Sequence, residues 1–311
     1  MKSINRWFFK WIGFILFSVS SLSAQTTEEI IKTDFVPQFK TGERLVYQLV
    51  ETKFRQNVNG HFTFLMYDTS YMVFKVKEVS DTLVLIDFNY SDYFKNGVFS
   101  NDEMNKFNFL KTETYQVALT PKGEFVELVN WEFFAQVLID NIKKEYQANL
   151  LDSNTLKYYY INYHNQEIVE ETVIPRVIEF LEFLGQSYST DKTYSIAKEI
   201  VNPFGGEPIQ KSVPFRLTQK PTFKNSMFFT GAVNTNFEDN ETLQEDYYYY
   251  LNRKSPNASE RTILPYIYIV DTYQMQWGIV SKRILNFITT HTVYLDNDKQ
   301  GLDRSMTFYS N

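Results

Sequence analysis

The stretch YQVALTPKGEFVELVNWEFFAQVLIDNIKKEY, residues 115–146, contains the succession of patterns that decides the predicted fold. A strand-like run, a Pro-Lys-Gly turn and a second short run lead into a segment with apolar residues at every third or fourth position: Trp131, Phe134, Ala135, Leu138 and Ile142. This spacing places the apolar residues on one face of a helix. The stretch therefore predicts a hairpin followed by an amphipathic helix, whose apolar face must cover a sheet.

Two residues at the joints of this stretch have predicted roles. Gly123 follows Pro121 and Lys122, and this tripeptide is typical of a type II turn with a positive φ at glycine. Asn130 directly precedes the helix. Its side chain is expected to cap the first helical turn by accepting a backbone N–H.

Strand-like sequence lies on both sides of this helix. The first block begins at Gly42, and Asn59-Gly60 and Ser80-Asp81 are turn signals within it. The pattern predicts strands near residues 43–53, 61–67, 71–79, 83–90, 106–119, 213–217, 222–236, 243–251, 262–274, 277–292 and 304–309. The tyrosine run at 247–250 falls in one of these predicted strands, with rings on both faces.

The middle of the chain is predicted to be helical in pieces. An apolar stripe (Ile174, Val177, Ile178, Leu181 and Leu184) predicts a helix that starts near Pro175 and ends before Gly185. Residues 191–201 are interpreted as another short helix, and residues 202–208, with a double glycine, as a tight loop.

The predicted fold class is mainly β (α+β). We expect a long, curved, half-barrel-like antiparallel meander sheet with interposed amphipathic helices packed on one face. Residues 42–311 are predicted to form a single β-rich domain. It is made of a strand block at 42–129, a helical block at 130–201 and a second strand block at 210–309.

The amino terminus has the pattern of a secretory signal peptide. Basic residues precede a short apolar run, and small residues precede a predicted cleavage after Ala24, with cleavage after Ser23 as the alternative. Residues 1–24 are thus expected to be removed on export, and residues 25–41 form a polar lead-in to the domain. The chain has no cysteine, so a lipoprotein with an acylated cysteine is not expected. The expected location is the periplasm or the outer envelope.

Composition excludes several partners. The net charge is −6 and no segment is densely basic, which argues against nucleic acid as a partner. Beyond the signal, no stretch approaches the ~18 apolar residues of a transmembrane helix. Aromatic residues make up 17% of the chain, a composition typical of sheet-rich folded proteins.

No motif for catalysis or cofactor binding is present. His61, His164 and His291 lie far apart without metal-ligand spacing, and the sequence has neither a nucleophile elbow nor a phosphate-binding loop. The string at 296–301 imitates the start of an EF-hand loop, but Thr307 stands where the bidentate Glu is needed, so a polar hairpin loop is the preferred interpretation. We predict no metal, no cofactor and no catalytic residues, and favour a non-enzymatic protein, although an enzyme with two carboxylates in a cleft stays open.

The signal peptide, the strands of 42–90 and 222–309 and the helix at 131–146 together resemble the LolA-type half-barrel carriers of bacterial envelopes. In that family a curved sheet wraps around helices and leaves an apolar cavity for acyl chains. The loop NPFGGEP, residues 202–208, is similar to loops of uncharacterised secreted envelope proteins. The resemblance implies an apolar cavity and transfers no individual site residue.

These observations lead to three hypotheses of function. The first is a secreted envelope protein that binds an apolar ligand such as a lipid, with Trp131, Phe134 and Leu138 as candidate ligand-binding residues. The second is a structural or adaptor protein that binds an envelope protein or a glycan through an exposed aromatic surface at Tyr247–Tyr250. The third is an outer-membrane barrel, against which the helical middle and the charges on both strand faces argue.

Overall fold

A computed structural model describes residues 30–56, 59, 61–91, 113–200, 202–204, 206–220, 222–254, 267–295 and 298–309. The predicted signal peptide lies outside these residues. The described residues from Lys32 onward belong to one compact unit.

The strands of this unit are β1 (Lys32–Asp34), β2 (Arg44–Gln56), β3 (Phe62–Val79), β4 (Val84–Ser91), β5 (Tyr115–Leu119), β6 (Phe125–Leu128), β7 (Ser187–Ser189), β8 (Thr193–Ile200), β9 (Ile209–Thr218), β10 (Ser226–Asn236), β11 (Ile267–Gly278), β12 (Arg283–Leu295) and β13 (Asp298–Tyr309). The helices are α1 (Trp131–Gln147), α2 (Ser153–Asn162), α3 (Gln166–Val173), α4 (Pro175–Leu181) and α5 (Glu241–Lys254), and a 3₁₀ turn covers Phe237–Asp239.

Eleven of the described strands form one antiparallel sheet in the order β6-β5-β4-β3-β2-β13-β12-β11-β10-β9-β8. The strands before the helical block and the strands after it are therefore two meanders, and they are joined where β2 pairs with β13, with Tyr47 opposite Phe308. In the described chain the sheet is open, with β6 and β8 at its edges. The predicted fold class, a mainly β antiparallel meander with helices on one face, is confirmed.

Aromatic contacts fix the helices on the inner face of the sheet. Tyr115 on β5 and Phe134 on α1 stack with ring centroids 4.3 Å apart. Phe180 on α4 lies 4.9 Å from Tyr47 on β2, and Phe183 just after α4 lies 5.2 Å from Phe215 on β9. The helical block thus packs against strands of both meanders, and the core lies between them.

The tyrosine run forms a helix, which corrects the strand predicted at 243–251. α5 begins where the Asn240 side chain accepts the backbone N–H of Leu243 at 2.8 Å. Leu243 and Tyr247, four residues apart, are both buried in a cluster with Phe237. An N-cap together with an i, i+4 pair of buried side chains outweighs the strand propensity of tyrosine here.

The predicted short helix at 191–201 is also wrong, because these residues contain strand β8. Its Ile200 lies opposite Ile209 on β9. Gly205 of the loop predicted at 202–208 lies outside the described residues. Strand pairing explains the difference. The outer edge of β9 has backbone N–H and C=O groups that need partners, and β8 provides them as a strand, which a helix could not do.

Two strand boundaries also differ from prediction. β3 is continuous from Phe62 to Val79 instead of breaking near residue 70, because it pairs along almost its whole length with β2. Trp277 belongs to the end of β11 and not to the start of β12. The reversal between these strands comes later, near Lys282, which has a φ of 52°.

The turn at Gly123 and the helix start at Asn130 agree only in part with the prediction. Gly123 has the predicted positive φ of 91°, but its N–H donates to the Thr120 carbonyl, so glycine is the last residue of the turn and not the third as in type II. Asn130 makes no capping bond to α1. Its side chain instead accepts the Gln116 N–H and donates to the Thr114 carbonyl, both at 2.9 Å, and so ties the helix start to β5.

Candidate functional site

An apolar cavity lies between α4 and the inner face of the sheet. Its sheet wall crosses from β5 to β11 and consists of Val117, Leu119, Ile86, Phe74, Leu45, Tyr47, Arg283, Ile284 and Trp277. Phe180, Leu181 and Leu184 of the α4 region form the opposite wall. Arg283 is the one charged side chain among these residues, and it lies at the β11–β12 end. The surface that faces the cavity is nevertheless almost entirely apolar.

The third wall comes from the lead-in. Residues 36–40, which we call the strap, contribute Pro37, Gln38 and Phe39 to the cavity. Pro37 is buried, whereas Gln38 is exposed, so the strap separates the cavity from solvent. The cavity has a volume of about 30 Å³. The cavity as it stands has room for about two water molecules.

Backbone hydrogen bonds hold the strap at both ends. At one end the Phe35 N–H donates to the Gln186 carbonyl, and the Gly185 N–H donates back to Phe35 at 2.9 Å. At the other end the Glu43 N–H donates to the Lys40 carbonyl at 2.9 Å. The strap is therefore a short loop held by hydrogen bonds at both ends.

Trp277 is the largest side chain on the cavity wall and is fully buried. It stacks on Phe35, with ring centroids 5.1 Å apart and planes 18° from parallel. Among the described residues, its indole N–H has no hydrogen-bond partner. A buried tryptophan usually places this N–H on an acceptor.

Arg283 forms an ion pair with Glu43 through Nη2 and Oε1. Its guanidinium also lies over the Phe308 ring, 5.5 Å from the centroid. The pair uses one atom of each partner: the buried Nε of Arg283 and the buried Oε2 of Glu43 have no partner among the described residues. Near the cavity, burial raises the pKa of Tyr47 well above its ordinary value near 10.

The predicted ligand-binding residues lie elsewhere in the molecule. Phe134 and Leu138 are buried in the packing between α1 and the sheet, and Trp131 is half-buried at the start of α1. None of the three is on the cavity wall. Their role in ligand binding stays a prediction, and the structure brings other residues together at the cavity.

Sequence reasoning missed these cavity residues, although one signal was available. The buried stripe of the α4 region is Val177, Phe180, Leu181 and Leu184, a regular i, i+3, i+4, i+7 pattern. The predicted stripe contained Ile178, which is half-buried, in place of Phe180. Trp277 and Arg283 carried no local signal, because their meeting with the lead-in depends on the long-range order of the strands.

The tyrosine run at 247–250 is divided between core and surface. Tyr247 is buried, whereas Tyr248 and Tyr249 are exposed by 45% and 65%. Tyr248 and Tyr249 are consecutive exposed residues of α5. Two of the four rings that the second hypothesis needs on the surface are therefore exposed. Helix α2 also carries exposed aromatic rings, Tyr158 and Tyr160, and none of its residues is buried.

Polar groups elsewhere form pairs more than clusters. His291 Nδ1 lies 2.8 Å from Asp271 Oδ1 on the neighbouring strand, and His164 Nδ1 lies 2.6 Å from the Tyr160 carbonyl. Within the described ranges, no group of three or more His, Asp or Glu side chains could hold a metal ion. In the same part of the chain, no helix has the length and apolar character needed to cross a membrane.

Comparisons with known proteins add little to this picture. The sequence matches no protein-family model and no curated protein. Among solved structures, the chain is similar to OmpTdeltaL8, a loop L8 deletion mutant of OmpT and an outer membrane protein of Vibrio cholerae. The identity is 8% and the TM-score 0.24, over 87% of this chain and 100% of the other. A likeness this low carries no functional argument, so a function has to be inferred from the cavity itself.

Proposed function

We propose that this protein is a non-enzymatic, envelope-associated binding protein for an apolar ligand such as a lipid acyl chain, and that it holds this ligand in the cavity between α4, the sheet and the strap. The observation that carries the proposal is a cavity whose inner surface is almost entirely apolar. Ligand sites are typically concave and apolar, with few polar groups that orient the ligand. The secretory pattern of residues 1–24 supports the location.

Ligand entry requires a movement of the strap. The present free volume, about 30 Å³, is too small for an acyl chain. Displacing the strap side chains, Pro37 and Phe39, joins the cavity to the surrounding solvent without breaking any strand pairing. The closed form is then the unloaded state, and the loaded state has the strap lifted or shifted along the sheet.

Native mass spectrometry tests this proposal. The chain beginning at Gln25 is purified from an envelope extract without detergent, and bound material is released with organic solvent. The expected result is an added mass of one lipid per chain that is lost on denaturation. A clean unliganded mass, together with no binding of added phospholipid or fatty acid, would contradict the proposal.

One observation supports a second candidate, an adaptor that binds an envelope protein or a glycan. Tyr248 and Tyr249 expose their rings on consecutive positions of α5. Exposed aromatic rings are suited to stacking on sugars or to anchoring a protein partner. Replacing both by serine should abolish such binding while leaving lipid occupancy unchanged, which separates the two candidates in a single preparation.

A further inference from the structure

We propose that one surface of the α1–α2 hairpin docks onto a lipid bilayer that contains anionic phospholipids. The inference goes beyond the proposed function, because this surface contributes no residue to the cavity wall. Helix α2 has no buried residue, although Tyr158–Ile161 consists of three tyrosines and an isoleucine. Apolar side chains that are exposed together, and not singly, mark a surface that interacts with a partner.

A contact and helical spacing join side chains of both helices into one patch. Lys143 Nζ of α1 lies over the Tyr160 ring of α2, 5.6 Å from its centroid. Side chains three or four positions apart are neighbours on a helix surface. Tyr146 is therefore beside Lys143, and Lys157 is beside Tyr160 and Ile161. The hairpin patch consists of Lys143, Tyr146, Lys157, Tyr158, Tyr160 and Ile161, all of which are exposed.

The composition of the hairpin patch suits the headgroup region of a bilayer. Tyr158 and Ile161 expose 63% and 59% of their surfaces. Tyrosine is enriched at membrane–water interfaces, where its ring contacts apolar groups and its hydroxyl contacts water. A lysine beside such residues keeps its stem on apolar surface and extends its ammonium group toward the phosphates. Helices that lie in the headgroup region combine both kinds of side chain.

Charge favours an anionic bilayer over a neutral one. Residues 143–161 contain three lysines (Lys143, Lys144 and Lys157) and two acidic residues, so this segment is positive in a chain of net charge −6. Within the described part of the chain, none of these lysines forms an ion pair. The acidic residues, Glu145 and Asp152, both accept hydrogen bonds within the hairpin. Salt screens charges more than about 10 Å away, so the lysines of the hairpin decide its attraction to a negative surface.

The test is flotation of the chain beginning at Gln25 with lipid vesicles, in which only protein that is bound to a bilayer rises with the lipid. Two compositions are compared: phosphatidylcholine alone, and an equimolar mixture with phosphatidylglycerol. Wild-type protein should partition onto the mixed vesicles about tenfold more strongly, and added salt should weaken this binding. The triple variant Lys143→Gln, Lys144→Gln, Lys157→Gln should lose the preference for mixed vesicles.

A pair of double variants tests the apolar part of the hairpin patch. Tyr158→Ser with Ile161→Ser should lower partitioning onto mixed vesicles by about tenfold. Tyr248→Ser with Tyr249→Ser removes two similarly exposed rings from α5, outside the hairpin patch, and should leave partitioning unchanged. None of these positions is buried, so the variants should keep the wild-type fold.

Three outcomes of flotation would overturn the inference: no partitioning of wild-type protein, equal partitioning onto both compositions, or a preference that survives in the triple lysine variant. A hairpin patch that binds a second copy of this chain would also overturn it. That arrangement would give a dimer in light scattering, which Tyr158→Ser with Ile161→Ser converts to a monomer while wild-type protein does not float. Lipid binding in the cavity is measured separately by native mass spectrometry and is unaffected by any of these results.

Discussion

Phe35, in the lead-in, and Trp277, at the end of β11, stack with ring centroids 5.1 Å apart although 242 positions of sequence separate their numbers. Phe35 also packs 4.8 Å from Tyr188 on β7 and 6.1 Å from Phe229 on β10. This aromatic cluster anchors the strap next to the cavity. The lead-in is therefore a part of the fold and not only a connection to it.

Replacing Phe35 by alanine should destabilise the protein by about 3–5 kcal/mol, because the ring is fully buried and its removal leaves a cavity. Phe39→Ala, at a half-buried position of the strap, should cost clearly less. Urea unfolding followed by circular dichroism measures both. Similar losses for the two variants would show that Phe35 is not the anchor of the strap.

Asn130→Asp distinguishes two roles for this side chain. As a helix cap, aspartate would serve as well as asparagine. In the structure the Asn130 amide group donates to the Thr114 carbonyl, which a carboxylate cannot do. We therefore expect Asn130→Asp to lower the free energy of unfolding by about 0.5–1.5 kcal/mol. Asn130→Ala should cost more, because alanine also loses the acceptor of the Gln116 N–H. A neutral effect of aspartate would support the capping role.

Gly185 and Gly42 form a matched pair for testing backbone strain. Both have a φ of 81°, but a Cβ at Gly42 meets open space, whereas a Cβ at Gly185 collides with the Glu124 side chain. Gly42→Ala should cost about 1–2 kcal/mol from the left-handed conformation alone. Gly185→Ala should destabilise the protein more than Gly42→Ala does. Calorimetry should show this difference as a lower melting temperature of Gly185→Ala. Equal melting temperatures would mean that Glu124 moves aside without loss.

Alkaline pH should unfold the protein through its buried tyrosines. Burial, with smaller contributions from Tyr159 and Glu145, raises the pKa of Tyr163 to about 12. Because the folded state holds this proton more tightly than the unfolded chain, with its ordinary value near 10, stability is complete below pH ~10 and falls as the pH rises toward 12. Tyr163→Phe should make this fall shallower in urea titrations between pH 9 and 11.5.

Tyr158→Phe, at an exposed position of α2, the helix that ends just before Tyr163, is the control for loss of a phenol group. A pH dependence that is identical in wild type and Tyr163→Phe would contradict the assigned burial. Tyr47, Tyr115, Tyr188 and Tyr273 also have pKa values raised by burial, so absorbance titration should show a fraction of tyrosines that ionise only on unfolding.

Local patterns predicted the elements whose signals are local. The helix from Trp131 and the helix start at Pro175 are at their predicted positions because periodicity and proline geometry act within a few residues. Prediction failed at β8 and α5. In β8 a partner strand decides the structure, and in α5 the Asn240 cap and the burial of Tyr247 decide it.

The cavity could not be predicted from local patterns for a related reason. Pro37, Tyr47, Phe180 and Trp277 come together only through the pairing of β2 with β13 and the return of the chain over α4. In the sequence, the amphipathic pattern of α1 indicated a ligand-binding site more strongly than the scattered cavity residues did. Its apolar face, however, is used by ring stacking on Tyr115.

Binding of an acyl chain in the cavity is tested most directly by tryptophan fluorescence. The chain beginning at Gln25 has two tryptophans, Trp277 on the cavity wall and Trp131 at the start of α1. Trp131→Phe leaves Trp277 as the only probe, and Trp277→Phe leaves Trp131. Each variant is titrated with 9,10-dibromostearate, whose bromines quench rings that they contact, and with unlabelled stearate as the control.

We expect saturable quenching of Trp277 and little quenching of Trp131. Val117→Phe, which fills the far end of the cavity, should weaken the quenching of Trp277, whereas Val76→Phe, at an equally buried position outside the cavity wall, should preserve it. Quenching of Trp131 in place of Trp277 would move the site to α1, and the absence of quenching in both variants would contradict acyl-chain binding.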